Sequence, residues 1–344
     1  MSIRSLTGAA CALFVLAPLA ASAAEPFARV RRYVSSLVVE PRGVRSIGMG
    51  STGAASVFTI SSGYVNPAAL AWSDAVVLAA SRQEYDTGDI DIGLNHTDSR
   101  LSGGWALSDD TARDRWRVGG MVGYSREDMN PQVIRTIFLP EGTGETFDID
   151  DYSLLASGAA SWTRGPVTIG AGLSVKYLDF TFLDGWALDW GVLTALSFTP
   201  GGTLIRPRLG LSVSNLDNGF HGQDVDYELV GETRVGLGLD LASRPVAFAG
   251  RAVPVISGSV EYDHVAVSDN EGYWAIGWEV SFVDLLQVRV GLQNDDPDTS
   301  AWGLGLGWAF GRLMVRADYA HESWMTFFGE YETNTFGLAT GMGF

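Results

Sequence analysis

The chain has 344 residues, with 23 Lys and Arg against 40 Asp and Glu, a formal charge of −17, and 42 glycines. The acid excess excludes a nucleic-acid surface, which needs clustered cations to meet phosphate. One cysteine, Cys11, excludes a disulfide framework and thiolate metal sites.

Residues 1–24 read as a secretory signal peptide. Arg4 precedes an apolar run from Ala9 to Ala20, and the small residues Ala21-Ser22-Ala23-Ala24 follow. That run is shorter than the ~20 residues a spanning helix needs. Cleavage is expected after Ala23 or Ala24, which exports the mature chain and removes its only cysteine.

Residues 25–74 come next and contain the compact stretch "RSIGMGSTGAASVFTISSGYVNPAALAW", positions 45–72. Gly48, Gly50 and Gly53 have the G-x-G-x-x-G spacing of a dinucleotide loop. That loop requires a buried strand before it and a crossover helix after it, and no parallel α/β pattern exists anywhere in the chain.

From about Val76 to the last residue, apolar and small or polar residues alternate with period two, the mark of strands whose side chains point to opposite faces. In "WGLGLGWAF", Trp302, Leu304, Leu306, Trp308 and Phe310 alternate with Gly303, Gly305, Gly307 and Ala309. About fourteen strands are expected, near 75–86, 98–109, 115–125, 150–163, 166–179, 186–199, 206–215, 230–241, 254–265, 272–283, 286–294, 299–310, 312–322 and 332–344. Turn signals separate them and helix signals are nearly absent. Trp105, Trp116, Tyr124, Trp162, Trp186, Trp274, Trp302 and Trp308 fall toward strand ends, as in the aromatic girdles of membrane barrels. Lipid leaves no backbone polar group unpaired, so amphipathic strands without helices imply closure. The expected fold is all-β: a transmembrane antiparallel β-barrel over residues 75–344, with residues 25–74 as an N-terminal hatch inside the lumen. Such a barrel has membrane lipid as its immediate partner.

Short connections are expected at 164–166, 199–205, 283–286 and 310–312, on the periplasmic side. Longer ones at 126–150, 179–186, 215–230, 265–272, 294–299 and 322–332 carry much of the acid outside the cell. Inward positions hold many glycines plus Arg117, Lys176, Arg234, Arg289, Arg316, Asp240 and Asp318, and small inward residues leave room for an occupant.

Catalytic, cofactor and metal signals are weak. "NDDPDTS" lacks the order of a calcium loop and reads as solvated. His96, His221, His264 and His321 lie near no recognisable Ser motif for nucleophilic catalysis. No catalytic residue, cofactor or metal ligand is assigned, and no enzyme activity is expected.

The terminal "TNTFGLATGMGF" puts Phe336, Leu338, Met342 and Phe344 on one face. A final strand ending on an aromatic residue resembles the signal read by the barrel-assembly machinery of outer membranes. Further upstream, Arg45, Gly48-Met49-Gly50, Ala54-Ala55 and Asn66-Pro67-Ala68-Ala69-Leu70 resemble the N-terminal region of FadL-type outer-membrane transport proteins, most closely their PorV/PorQ-like branch. The resemblance implies a fourteen-stranded barrel in a Gram-negative outer membrane. It also implies an internal hatch carrying Arg45, Gly48, Gly50, Asn66, Pro67 and Ala68. FadL-like members pass hydrophobic small molecules through a lateral opening; PorV-like members carry secreted proteins at the cell surface. A transporter should show an apolar pocket in the lumen and a kinked wall strand, and an interaction protein a sealed lumen.

Amino-terminal sequencing of membrane-extracted protein should begin at Ala24 or Glu25; an intact Met1 would overturn the leader reading.

Overall fold

The computed structural model describes residues 43–343 apart from 58–59, 73–74, 87–95, 110–113, 134–145, 181–182, 223–225, 228, 249–250, 269, 295–297 and 327–328. The signal peptide and Phe344 lie outside the described residues.

Two short helices, α1 (Val44–Gly48) and α2 (Ser62–Val65), and a 3-10 turn (Pro67–Trp72) precede the strands. The first half of the sheet is β1 (Ala75–Asp86), β2 (His96–Asp109), β3 (Asp114–Val133), β4 (Thr146–Arg164), β5 (Val167–Phe180), β6 (Leu183–Leu196) and β7 (Leu204–Gly222). Three small pieces, β8 (Asp226–Tyr227), β10 (Pro245–Phe248) and β11 (Arg251–Pro254), interrupt the second half. Its main strands are β9 (Glu232–Ala242), β12 (Ile256–Val267), β13 (Asn270–Phe282), β14 (Leu286–Asn294), β15 (Thr299–Phe310), β16 (Leu313–Thr326) and β17 (Gly329–Gly343).

Fifteen strands share one antiparallel sheet, and one of them, the two-residue β8, only lines the edge of β7. The remaining fourteen form a closed ring, because β6 pairs β7 and β17 returns to β1 with Ala75 opposite Gly343. Closure leaves no strand edge, which is what a bilayer demands of a spanning sheet. Among the described residues no helix is long and apolar enough to cross a membrane; the crossing is made by strands.

Strict alternation turns the ring inside out relative to a soluble barrel. Along β14, Val288, Val290 and Leu292 are exposed on the outer face while Gln287, Arg289 and Gln293 are buried inside. The same outer face carries Leu173, Leu237, Leu239, Leu304 and Leu306, so the exterior is an apolar belt matched to lipid. Aromatic rows bound it. On one rim Tyr124, Tyr152, Tyr177 and Trp186 form a chain with successive ring centroids 6.5, 6.3 and 5.0 Å apart. On the opposite rim Trp116 meets Trp162 at 6.4 Å. Trp116 and Tyr124 sit eight residues apart on β3, a vertical separation of roughly 21 Å at a rise of ~3.4 Å and a tilt of ~40°. That height suits an outer-membrane hydrocarbon layer.

Several strands outrun the sequence pattern. β3 reaches Val133 and β7 reaches Gly222, so the expected outer loops at 126–150 and 215–230 shorten; those at 179–186 and 265–272 shrink to a few residues. Above the aromatic row the outward positions turn polar, as at exposed Arg126, so apolar alternation stops before the hydrogen-bond ladder does. Glu127, expected in an outer loop, points inward and is buried. Between the expected strands 230–241 and 254–265 the chain forms the β10–β11 hairpin, with Pro245 opposite Pro254.

Leu173 is 67% exposed in mid-belt. Leu173→Arg should lower the unfolding free energy in phospholipid vesicles by about 2–4 kcal/mol, as for cations at the bilayer midplane; urea titration checks it.

Candidate functional site

The described residues of 43–72, all but 58–59, fold back into the lumen, and nearly all of them are buried. α1 ends in a left-handed pair, Gly50 (φ 64°) and Ser51 (φ 69°), which reverses the chain. Asn66 is extended (φ −138°), the conformation imposed on a residue before proline. Pro67 then opens the 3-10 turn, and Asn66 Oδ1 accepts from Ala68 N at 3.0 Å, supporting the first turn as a cap does.

The wall receives this segment on glycine. A Cβ at Gly172 would lie 2.5 Å from the Pro67 carbonyl carbon, and one at Gly50 would lie 2.6 Å from Leu292 N. Gly119, Gly210, Gly277 and Gly291 likewise abut the segment's backbone, at Leu70, Ala54, Met49 and Gly50. With no side chain on the wall at these points, the two backbones approach directly.

The segment has two unlike halves. Its N-terminal half, 43–56, enters an ionic lattice. Arg45 Nε donates to Glu279 Oε2 at 3.1 Å, Nη2 to Glu261 Oε1 at 3.2 Å and Nη1 to Ser56 Oγ at 2.8 Å. Glu279 also accepts from Arg289 Nε at 2.6 Å, and Arg289 Nη1 reaches Asp318 Oδ1 at 2.8 Å. Arg208 Nη2 bridges Asp240 at 2.6 Å and Glu261 at 3.2 Å, and Nη1 donates to the Ala55 carbonyl. Asp263 Oδ2 accepts from Gly53 N at 2.8 Å and Ala54 N at 3.0 Å; Arg234 Nη1 donates to Ser51 O at 3.2 Å. Burial would lower the Arg45 pKa, but the Glu279 and Glu261 carboxylates outweigh it and hold the guanidinium above its ordinary value. Arg45 is therefore a fixed charge.

The C-terminal half, 60–72, meets a neutral wall. Ile60, Tyr64, Leu70 and Ala71 pack with Met121, Leu155 and Ala159, bordered by Trp72, Val77 and Ala79. Leu193 packs on Ala68 and Ala69. Among its polar ties, Asn66 Nδ2 donates to Ala54 O at 2.6 Å and, at 3.3 and 3.4 Å, to Val192 O and Leu211 O on β6 and β7; Ser161 Oγ donates to Ala71 O at 3.3 Å.

Beside Arg45 a cavity of about 10 Å3, lined by serines 46, 56, 61 and 62, has room for one water.

The wall has one marked irregularity beside Asn66. Pairing of β6 with β7 shifts twice between Trp186 and Trp190, and Asn215 takes a left-handed φ of 59°. Its amide leaves the ladder and donates to Asp189 Oδ1 at 2.9 Å. Lys176 Nζ ties both residues, at 2.8 Å to Asp189 and 2.6 Å to Asn215 Oδ1. The β7 strand is thus kinked and its kink is stitched shut.

Arg45, Gly48, Gly50, Asn66, Pro67 and Ala68 all lie in the buried segment, divided between its halves. Phe336, Leu338 and Met342 point outward on β17 at 51–58% exposure, far from these contacts. Sequence reasoning missed Glu261, Asp263, Glu279 and Arg208. A signal existed for the first two: in "SVEYDHV" both acids occupy the positions opposite outward Val260, Tyr262 and His264.

No protein-family model and no curated protein matches the chain. Solved structures do. The Pseudomonas putida toluene transporter TodX aligns with 90% of this chain and 100% of its own at 11% identity, TM-score 0.52. The monoaromatic hydrocarbon channel CymD aligns with 88% of this chain and 97% of its own at 13% identity, TM-score 0.50. At such identities the likeness is one of fold: a transmembrane β-barrel of the kind that hydrocarbon channels use.

Arg45→Ala would leave Glu261 and Glu279 short of a buried cation and should cost about 3 kcal/mol of unfolding free energy. Asn66→Ala should cost about 1–2 kcal/mol, with the barrel still inserting into vesicles. Failure of the Asn66 variant to insert would assign Asn66 to barrel folding instead.

Proposed function

We propose that this chain is an outer-membrane barrel of FadL-like type that passes hydrophobic small molecules, with residues 43–72 as its hatch. The observation that carries the reading is the apolar stretch of inner wall formed by Val77, Ala79, Met121, Leu155 and Ala159. A lumen built only for water and solutes is polar throughout; an inward apolar face is what a molecule without hydrogen-bonding groups requires. The fold shared with toluene and monoaromatic hydrocarbon channels supports the same class of cargo. The irregularity of β7 at Asn215 matches the kinked wall strand expected of a transporter, and the outward Phe336, Leu338 and Met342 fit a last strand recognised by the barrel-assembly machinery. No catalytic role is assigned: His264 is exposed on the outer face, and His321 Nδ1 pairs with Asn334 Oδ1 at 3.1 Å.

One observation favours a second reading. The cavity beside Arg45 is only water-sized, and the segment's backbone sits directly against the wall glycines, which also suits a sealed, PorV-like barrel that holds exported proteins at the cell surface.

Radiolabelled toluene uptake by a deletion strain and its complemented partner separates the two. Complementation is expected to restore uptake. Equal uptake in both strains, together with co-purification of secreted proteins on the barrel, would replace transport by cargo binding.

A further inference from the structure

The two halves of the inner segment are held by forces of different kinds, and a hydrophobic cargo can replace only one of them. Around residues 43–56 the ties are charged: Arg45 to Glu261 and Glu279, Asp263 to the Gly53 and Ala54 amides, Arg234 to the Ser51 carbonyl. Withdrawing this half would strand carboxylates that are almost wholly buried, Glu261 and Asp263 among them. Breaking one such buried pair costs several kcal/mol. A hydrocarbon offers nothing in exchange, since it can neither neutralise a carboxylate nor accept from a guanidinium.

Around residues 60–72 the balance differs. Ile60, Leu70 and Ala71 cover Met121, Leu155 and Ala159 by apolar contact. If this half withdraws, the bared wall loses burial that an apolar molecule restores as it passes, at ~25 cal/mol per Å2 on either occupant. The hydrogen bonds to the wall that break, from Asn66 to Val192 and Leu211 and from Ser161 to Ala71, are long at 3.3–3.4 Å, and those that join the halves, Asn66 to Ala54 at 2.6 Å and Ser62 to Ser56 at 3.1 Å, are between neutral groups. The halves divide the wall between them as well. α1 touches β14 to β17, whereas the 3-10 turn touches β2 to β6.

We propose that the hatch opens by halves. Residues 60–72 swing off the β1–β6 side of the wall, and small apolar molecules cross there along Val77, Ala79, Met121 and Leu155. Residues 43–56 stay docked in the ionic lattice as the fixed side of the passage. The proposal rests on the transport reading and names its route and the residues that meet the cargo.

The near absence of cysteine makes it testable. Gly53→Cys with Val65→Cys ties the two halves, since a Cβ at Gly53 would stand 3.1 Å from Val65 Cβ. Val44→Cys with Gly337→Cys ties the N-terminal half to β17, where the corresponding separation is 3.6 Å, within reach of a disulfide. Under oxidising conditions toluene uptake should fall to the deletion-strain level in the first pair and return on reduction. The second pair should transport as well oxidised as reduced. Loss of uptake in the second pair, or full uptake in the oxidised first pair, overturns the proposal.

A second measurement does not depend on uptake. Alkylation of purified single-cysteine proteins in vesicles should accelerate on adding toluene for Leu70→Cys and stay slow for Ile47→Cys. If toluene uptake is absent in the parent chain, this contrast alone decides the motion. Acceleration at both sites, or at neither, sinks the half-opening.

Discussion

Inside a bilayer an unpaired amide or carbonyl has no water to turn to, and the rest of this molecule follows from that constraint. The strands must close on themselves, and they do so with β17 returning to β1. Closure assigns every second side chain to lipid and every other one to the bore. With the outside committed to Val, Leu and aromatics, all chemical variety is concentrated within. Charges at Arg208, Asp240, Glu261, Glu279 and Arg289 can be afforded there only because they pair with each other and with the inner segment.

A polarity split then arises from which strands carry which inward residues. β7, β9, β12 to β14 and β16 supply ions against the segment's first half; β1 and β3 to β6 supply glycine, alanine and a few large apolar groups, with the Lys176–Asp189 pair set beside Asn66. The segment is written to match, with Arg45 in its first helix and Tyr64, Leu70 and Trp72 in its second half. A uniformly polar plug would leave Met121 and Leu155 facing mismatched groups. A uniformly apolar one would leave Glu261 and Glu279 without a counter-ion.

Much of the barrel could be read from the chain because strand alternation is a local property. "WGLGLGWAF" shows its two faces within nine residues, and the strand borders miss mainly where Arg126 and its like stand outside the apolar belt. The compactness of 45–72 was also visible, because glycine and alanine leave a composition trace. What could not be read was partnership across the bore. Arg45 reaches Glu261 and Glu279 over 216 and 234 residues of chain, and no local pattern says which strands face each other through a lumen. The kink in β7 hides for another reason: "SNLDN" has neither Gly nor Pro, and only Asn215, tolerant of left-handed backbone, hints at it.

Contacts of the segment on both sides of the β1–β17 seam give it a role in chain entropy. Joining the first strand to the last closes a loop nearly as long as the barrel sequence itself, and long loops are the slow, entropically expensive ones to close. Val44 against Gly337 and Leu70 against Gly119 connect the same two regions through fewer than thirty residues of segment. The segment is thus a shortcut in the chain's contact map. Seating Val44 on Gly337 closes as long a loop as the seam does, but once it is made β1 and β17 are tethered through the short segment, so the segment in the bore also clasps the ring.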